Sequence, residues 1–191
     1  MDGAIKTNAI GATVHDQLTS LAHAVFSATF ATMQRDYILR LIEQVAQLLS
    51  RIVRQREDNS PHEALQSIMA ACERLFGMDA VQIFQFTPDQ HALMLAEGEE
   101  PEGAHGKILM YAALNEQAGR CYTTLAQPKL AQQSFLNALR LSLKAQQQFP
   151  DLQMPAFAPN PRELLRLLGN TPLDAETASL IASAGLQTTG I

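Results

Sequence analysis

The sequence predicts an all-α protein, an irregular helical bundle that contains one helical hairpin. The chain has no tryptophan and few other aromatic residues, whereas Ala, Leu and Gln, which lose little rotamer freedom in a helix, are abundant. Apolar residues recur at steps of three and four rather than two, which is typical of amphipathic helices. Only residues 81–86 alternate as a strand would, and because helical patterns flank them we expect a helix there too.

The first clear element is an amphipathic helix from Arg35 to Val53. One apolar stripe runs along it, at Ile38, Leu41, Ile42, Val45, Leu48, Leu49, Ile52 and Val53. Tyr37 and Leu39 widen the apolar surface beyond this stripe. Since apolar surface that the monomer leaves uncovered favours association, Tyr37 and Leu39 are candidate self-association residues, and the 35–53 helix is a possible homodimer surface.

Capping residues predict where the next helices begin and end. The segment 60–63 predicts a capping box, in which Ser60 accepts a hydrogen bond from the Glu63 amide and the Glu63 side chain reaches back. This helix should end at Gly77 in a left-handed cap. Residues 87–90 repeat the same opening pattern, so a short helix is expected after them.

Two irregular segments and two short helices complete the pattern. Residues 97–103 combine turn formers with like charges and predict a solvent-exposed loop, and residues 149–159 are rich in proline. Asn160 then caps a predicted helix that continues through Leu168. One further helix is expected within 174–184.

A helical hairpin is predicted over about 107–148, with its turn at 126–128. Small and aromatic residues recur at fixed spacing along it, at Gly119, Tyr122, Ala131, Phe135, Ala138 and Leu139. These positions resemble the tetratricopeptide consensus, which implies two closely packed antiparallel helices. Asn115, Ala118 and Leu143 depart from the consensus, which usually has tryptophan, leucine and proline there. No second match occurs about 34 residues away in either direction, so the hairpin is a single one.

Residues 33–44 resemble the opening of an uncharacterised bacterial family. The run reads Met-Gln-Arg-Asp-Tyr-Ile-Leu-Arg-Leu-Ile-Glu-Gln, and members of that family typically begin Met-x-Gln-Arg-Asp-Tyr and carry one tetratricopeptide-like hairpin later in the chain. The likeness extends more loosely to about Leu168. It implies a helical fold and a bacterial cytoplasmic protein, and it carries no known activity.

The same resemblance implies a domain organisation. Met33 would be the ordinary start, so residues 1–32 are expected to be a partly disordered or helical N-terminal extension. Residues 33–185 should form a single helical domain that includes the hairpin. Residues 186–191 are expected to be a frayed tail.

Charge and hydropathy exclude several classes of partner. A net charge of −5 and a pI near 5.5 argue against general binding to nucleic acid or to an anionic membrane, because both need concentrated Lys and Arg. No apolar run reaches the about 18 residues that a membrane span requires, and no basic signal-peptide start is present. We therefore expect a cytoplasmic protein. Cys72 and Cys121 are expected to be small buried hydrophobes rather than disulfide partners.

No pattern of catalytic, cofactor-binding or metal-ligating residues is visible in the sequence. The five histidines share no helical face with another His, Cys or acid at metal-ligand spacing. Nucleophile elbows, phosphate-binding loops and dinucleotide fingerprints are missing. The sequence therefore predicts a protein without enzymatic activity or cofactor, although an enzyme whose site is assembled only by the fold is the third hypothesis.

The candidate partner-binding residues are Glu116, Arg120 and Thr123. They follow one another at steps of four and three on the first hairpin helix. The resemblance implies that this face lines a peptide groove, as it often does in tetratricopeptide proteins. The simpler interpretation is a surface ion pair between Glu116 and Arg120. The predicted function is a protein–protein interaction module or adaptor that binds a protein or peptide, and the alternative is a homo-oligomeric structural protein.

Overall fold

The computed structural model describes residue 40 and residues 43–186. Residues 43–186 belong to one compact unit, which spans Ile42–Ile191. Of the other unit, Met1–Leu41, the structure describes Arg40 alone.

Several predictions made from sequence lie outside the described residues. They are the N-terminal extension 1–32, the candidate self-association residues Tyr37 and Leu39, and most of the predicted tail. The proposed homodimer helix 35–53 is described only in part.

Eight helices make up the regular structure of residues 43–186, and no strand occurs among them. The all-α prediction is therefore confirmed. The helices are α1 (43–57), α2 (Pro61–Phe76), α3 (Ala80–Ile83), α4 (Pro88–Ala96), α5 (Pro101–Thr124), α6 (Pro128–Gln148), α7 (Pro161–Leu168) and α8 (Ala175–Ser183). Among the described helices, none is long and apolar enough to cross a membrane.

The predicted helix ends are largely confirmed. Gly77 ends α2 with φ +67°, in the left-handed conformation that glycine adopts without strain. Thr87 Oγ1 accepts a hydrogen bond from the Gln90 amide at 3.3 Å, and Gln90 Oε1 accepts one from the Thr87 amide at 2.8 Å. The capping box that opens α4 is therefore present, and the helices predicted after Asn160 and within 174–184 also form.

The predicted capping box at 60–63 is wrong. Ser60 precedes α2 but makes no side-chain capping hydrogen bond. Its backbone has φ −113° and ψ 58°, whereas an N-cap side chain reaches the first amides from an extended backbone. Pro61 at the first helical position still favours the start of the helix, because its missing N–H would have no helical partner there.

The predicted loop 97–103 is shorter than expected, because α5 begins at Pro101 and not near Lys107. Proline is favoured at the first position of a helix, and Glu102 in the first turn interacts favourably with the helix dipole. The Lys107 ammonium lies 2.6 Å from Glu99 Oε1 and so ties the remaining loop to the helix. At this position the proline, which favours a helix start, therefore predicts the structure better than the cluster of acidic residues, which indicated a loop.

The strand-like run 81–86 is helical as far as Ile83, as expected, and then turns. The Phe84 amide donates to the Ala80 carbonyl at 3.1 Å, and the Phe86 amide donates to the Ile83 carbonyl at 3.2 Å. The alternating apolar residues thus occupy α3 and a tight turn that follows it.

The hairpin of α5 and α6 is the centre of the fold. These two helices pack against each other more extensively than any other pair of α2–α8. They run antiparallel: Gly119 meets Phe135 near the turn, and the His105 ring lies 5.6 Å from that of Phe149 at the other end. A Cβ atom added at Gly119 would lie 2.5 Å from Cε1 of Phe135. The glycine therefore sets how closely the two helices approach.

Four of the other helices pack on this hairpin. Helix α2 packs on α5, α4 packs on both α5 and α6, and α7 and α8 pack on α6. The α7 and α8 side forms one hydrophobic cluster, centred on buried Leu139, Leu143, Leu164 and Ile181. The α4 side forms another, centred on Ile108, Leu109 and Leu141.

A cluster of five charged side chains joins α4, α6 and α8. Arg140 and Lys144 of α6 lie between Asp89 of α4 and the acidic residues Asp174 and Glu176 at the start of α8. The shortest contacts are Arg140 Nη2 to Glu176 Oε2 at 2.6 Å and Lys144 Nζ to Asp89 Oδ1 at 2.5 Å. Burial disfavours the charged form of Lys144, but the two carboxylates outweigh it and raise the pKa of this lysine.

We expect Gly119→Ala to destabilise the fold. The new methyl group would collide with the buried Phe135 ring, and overpacking of this kind costs about 1–3 kcal/mol. Gly106→Ala is the matched control on the same helix, because a Cβ atom there meets nothing within 4 Å. It should raise the free energy of unfolding slightly, since alanine favours helix over glycine. Urea unfolding measures both; equal stability of the two variants would contradict the close approach of α5 and α6.

We expect stability to fall as the pH drops from 7.5 to 5.5. His91 and His105 are buried, and burial lowers the pKa of both below the usual 6.5. The unfolded chain therefore binds these protons more readily, so the stabilisation is complete above about pH 6.5 and is lost on acidification.

Urea midpoints at the two pH values check this pH dependence. His105→Leu removes one of the two titrating groups. It breaks no hydrogen bond at Nε2, because that atom is buried and has no partner among the described residues. The substitution should reduce the pH dependence; an unchanged dependence would show that His105 does not contribute.

Candidate functional site

The main candidate site is a groove of about 320 Å³ between α2 and α6. Both helices pack against α5, and the groove is the space between them. Helices α2 and α3 and the turn after α3 line one side, with Leu65, Ile68, Met69, Cys72, Ala80, Ile83, Phe84 and Phe86. The hairpin lines the rest, with Tyr111, Leu114, Asn115, Ala118, Tyr122, Leu130, Gln133, Ser134 and Asn137, and Pro88 and His91 of α4 complete it.

Four large apolar side chains of the lining are exposed, and together they form the rim of the groove. Phe84 is 71% exposed, Leu130 48%, Met69 42% and Phe86 37%. Single exposed apolar residues are ordinary on protein surfaces, but these four belong to one groove and lie on α2, α6 and the turn after α3. Apolar surface that is concentrated in this way is typical of binding sites.

The lining of the groove carries no charge at neutral pH. None of its residues is Asp, Glu, Lys or Arg. Burial, together with the nearby Glu73, raises the pKa of the Cys72 thiol to about 12. Burial also raises the pKa of the Tyr111 hydroxyl and lowers that of His91. Cys72, Tyr111 and His91 are therefore neutral near pH 7.

His91 supports the end of the groove. Its Nε2 lies 2.8 Å from the Ile83 carbonyl, so this nitrogen carries the proton and donates it, which links α4 to α3. The ring packs against Phe76 and Tyr111, with ring centroids 5.1 and 5.0 Å away. Nδ1 has no hydrogen-bond partner among the described residues and is sealed from solvent. His91 therefore presents no solvent-accessible, unpaired polar atom to an occupant.

Two of the three amide side chains that line the groove donate hydrogen bonds within the protein. Asn115 Nδ2 donates to the Tyr111 carbonyl at 2.9 Å, and Gln133 Nε2 donates to Asn137 Oδ1 at 3.0 Å. The polar part of the lining is therefore paired in part, and most of the residues that an occupant would meet are apolar.

The groove lacks the chemistry expected of a catalytic or metal site. A thiol with a pKa of about 12 is almost entirely protonated at pH 7, and a nucleophilic cysteine reacts as its thiolate. No carboxylate lines the groove beside His91. Within residues 43–186, His, Cys, Asp and Glu form no group of three or more that would hold a metal ion.

The residues predicted from sequence as a partner site lie on another face of α5. Arg120 Nη2 lies 2.7 Å from Glu116 Oε1, so the ion pair of the simpler interpretation is present. Arg120 also lies 3.7 Å from Glu163 of α7. Thr123 Oγ1 donates to the Gly119 carbonyl at 2.9 Å. None of the three predicted residues lines the groove, and their role in binding stays a prediction.

Sequence reasoning missed the groove, although two signals for it were present. Asn115 and Ala118 are two of the three departures from the tetratricopeptide consensus, and both line the groove. The consensus residues, tryptophan and leucine, are larger and would occupy this space. The second signal was the apolar run 81–86, whose Phe84 and Phe86 stand at the rim.

Comparison with known proteins adds no relative: no family model, no curated protein and no solved structure matches this chain.

We expect the Cys72 thiol to react slowly in the folded protein. Raising its pKa from the usual 9.0 to about 12 lowers the thiolate fraction about a thousandfold at pH 8. In a Cys121→Ala background, where Cys72 is the remaining thiol, modification by 5,5′-dithiobis(2-nitrobenzoate) follows this thiol alone. The same chain unfolded in urea is the control. Folded and unfolded rates within tenfold of each other would contradict the environment assigned to Cys72.

Proposed function

We propose that this chain is a non-catalytic protein–protein interaction module and that its partner docks in the groove between α2 and α6. The observation that supports this most directly is an uncharged cleft whose apolar lining continues onto exposed side chains at its rim. The occupant should therefore present an uncharged, apolar surface, because a charged group would lose its hydration there without gaining a partner.

The exposed rim favours a protein over a small molecule. A small ligand enclosed in about 320 Å³ would leave side chains such as Phe84 and Leu130 largely in water. A protein surface would cover the cleft and the rim together. Full transfer of a Phe, Leu or Met side chain out of water is worth about 1.5–3 kcal/mol. The rim side chains are already partly buried, so each would contribute a fraction of this value to binding.

A homo-oligomeric structural protein is the second candidate. Val81 and Leu93 lie outside the groove and are 73% and 70% exposed. A second copy of the chain that covered such residues would bury further apolar surface.

We also propose that the chain is a cytoplasmic member of the bacterial family that begins Met-x-Gln-Arg-Asp-Tyr. This proposal rests on the likeness of residues 33–44 and on the single predicted tetratricopeptide-like hairpin. It carries no partner or pathway to this chain.

Affinity capture with matched variants tests the proposed function. Phe84→Glu places a charge at the rim of the groove, and Leu93→Glu places the same charge at an equally exposed position outside it. Arg120→Glu tests the face predicted from sequence. We expect a protein that the wild type and Leu93→Glu retain from a lysate of the source cells but Phe84→Glu loses. The captured protein, once purified, should bind the wild type and Leu93→Glu with similar affinity and should bind Phe84→Glu more weakly.

Other results would overturn the proposal. If the capture yields only further copies of this chain, and light scattering shows a defined oligomer, the homo-oligomeric alternative replaces it. If Phe84→Glu retains the same proteins as the wild type, the groove is not the docking site. Loss with Arg120→Glu alone would move the site to the face of Glu116, Arg120 and Thr123.

A further inference from the structure

The backbone around the groove offers no continuous edge of free N–H donors to an incoming strand. The walls contributed by α2, α5 and α6 are helical, so beyond the first turn of α6, which has no side-chain cap, their amides serve the helices themselves. In the turn after α3, the amides of Phe84, Gln85 and Phe86 donate to the carbonyls of Ala80, Gln82 and Ile83. The Thr87 amide donates to Gln90 Oε1 at 2.8 Å.

An extended peptide would therefore bury its own backbone groups without partners. Strand addition succeeds where a sheet edge offers free N–H and carbonyl groups, and unpaired buried backbone groups are costly. The side-chain amides of Asn115 and Gln133 each donate one hydrogen bond within the protein, and isolated side-chain amides do not replace the continuous edge of a sheet. A helix avoids this cost because its backbone hydrogen bonds are internal.

The length of the groove matches a short helix. Along α5, the lining residues extend from Tyr111 to Tyr122, which corresponds to about 16 Å at 1.5 Å per residue. A helix of about three turns has this length, and its residues i, i+3 or i+4, and i+7 lie on one face. Two or three apolar side chains on that face would enter the cleft, while Met69, Phe84 and Leu130 pack beside them.

We propose that the occupant of the groove is an amphipathic helix of a partner protein, about three turns long, which inserts one uncharged face with apolar anchors at i, i+3 or i+4, and i+7. This inference rests on the proposed function and names the class of partner for the same site. The small side chain of Ala118, on α5, leaves the space that the anchors fill.

Display selection tests this inference. A library of random 16-residue peptides is selected against the full-length chain and counter-selected against Phe84→Glu. We expect enriched peptides to carry apolar residues at helical spacing on an uncharged face and to gain helical circular dichroism on binding. Because the chain has no tryptophan, the fluorescence of a tryptophan placed in the peptide reports binding without background.

A matched pair of variants locates the bound peptide. Ala118→Leu adds volume inside the groove, and Ala178→Leu makes the same change at an exposed position of α8. The first should weaken binding of an enriched peptide at least tenfold, and the second should leave affinity within twofold. Enriched peptides without helical spacing, an absence of enrichment over the counter-selection, or equal effects of the two variants would each overturn the inference.

These results are separable from those that test the proposed function. A partner that depends on Phe84 in the capture experiment, but docks through a non-helical segment, would contradict the helical occupant and leave the interaction module standing. If capture also shows no dependence on Phe84, both proposals fail.

Discussion

The close approach of α5 and α6 is the constraint on which the rest of the structure depends. It requires a residue without a side chain at Gly119, because the Phe135 ring occupies the space that a Cβ atom would need. With the hairpin held in this way, α5 packs against α2 and α4, while α6 packs against α4, α7 and α8. The groove follows from the same arrangement, since α2 and α6 both pack on α5 and leave a cleft between them.

The residues that line the groove are uncharged, whereas charged side chains join the helices beside it. The five-residue cluster of Arg140, Lys144, Asp89, Asp174 and Glu176 joins α4 and α8 to α6. Asp89 lies beside Pro88, which lines the end of the groove, so this cluster also helps to position α4 there. Ion pairs that are partly exposed contribute modestly to stability, and the buried apolar clusters contribute more. Because the charged cluster lies outside the groove, the groove presents an uncharged surface for binding.

Much of the fold could be predicted from local chemistry, whereas the candidate site could not. Helix ends at Gly77, Thr87, Asn160 and Asp174 follow from capping residues, and the hairpin follows from the spacing of small and aromatic residues. The predicted start of α5 is wrong because the acidic residues around Pro101 indicate a loop as well as a helix start. The predicted capping box at Ser60 is wrong because backbone dihedral angles are not visible in a sequence. The groove depends on how α2 and α6 are placed around α5. The spacing of apolar residues along the sequence predicts each helix but not this placement. The residues predicted from sequence, Glu116, Arg120 and Thr123, lie outside the groove, and Glu116 and Arg120 form an ion pair near Glu163. Their role in binding stays a prediction.

Photo-crosslinking in living cells tests most directly whether the groove is the docking site. The photoreactive amino acid p-benzoylphenylalanine replaces Phe84 in one chain and Leu93 in another, so that two equally exposed positions are compared inside and outside the groove. We expect a light-dependent adduct with a different protein at position 84 and none at position 93. Adducts at both positions, no adduct at 84, or an adduct of twice the 20.9 kDa chain mass would contradict this expectation.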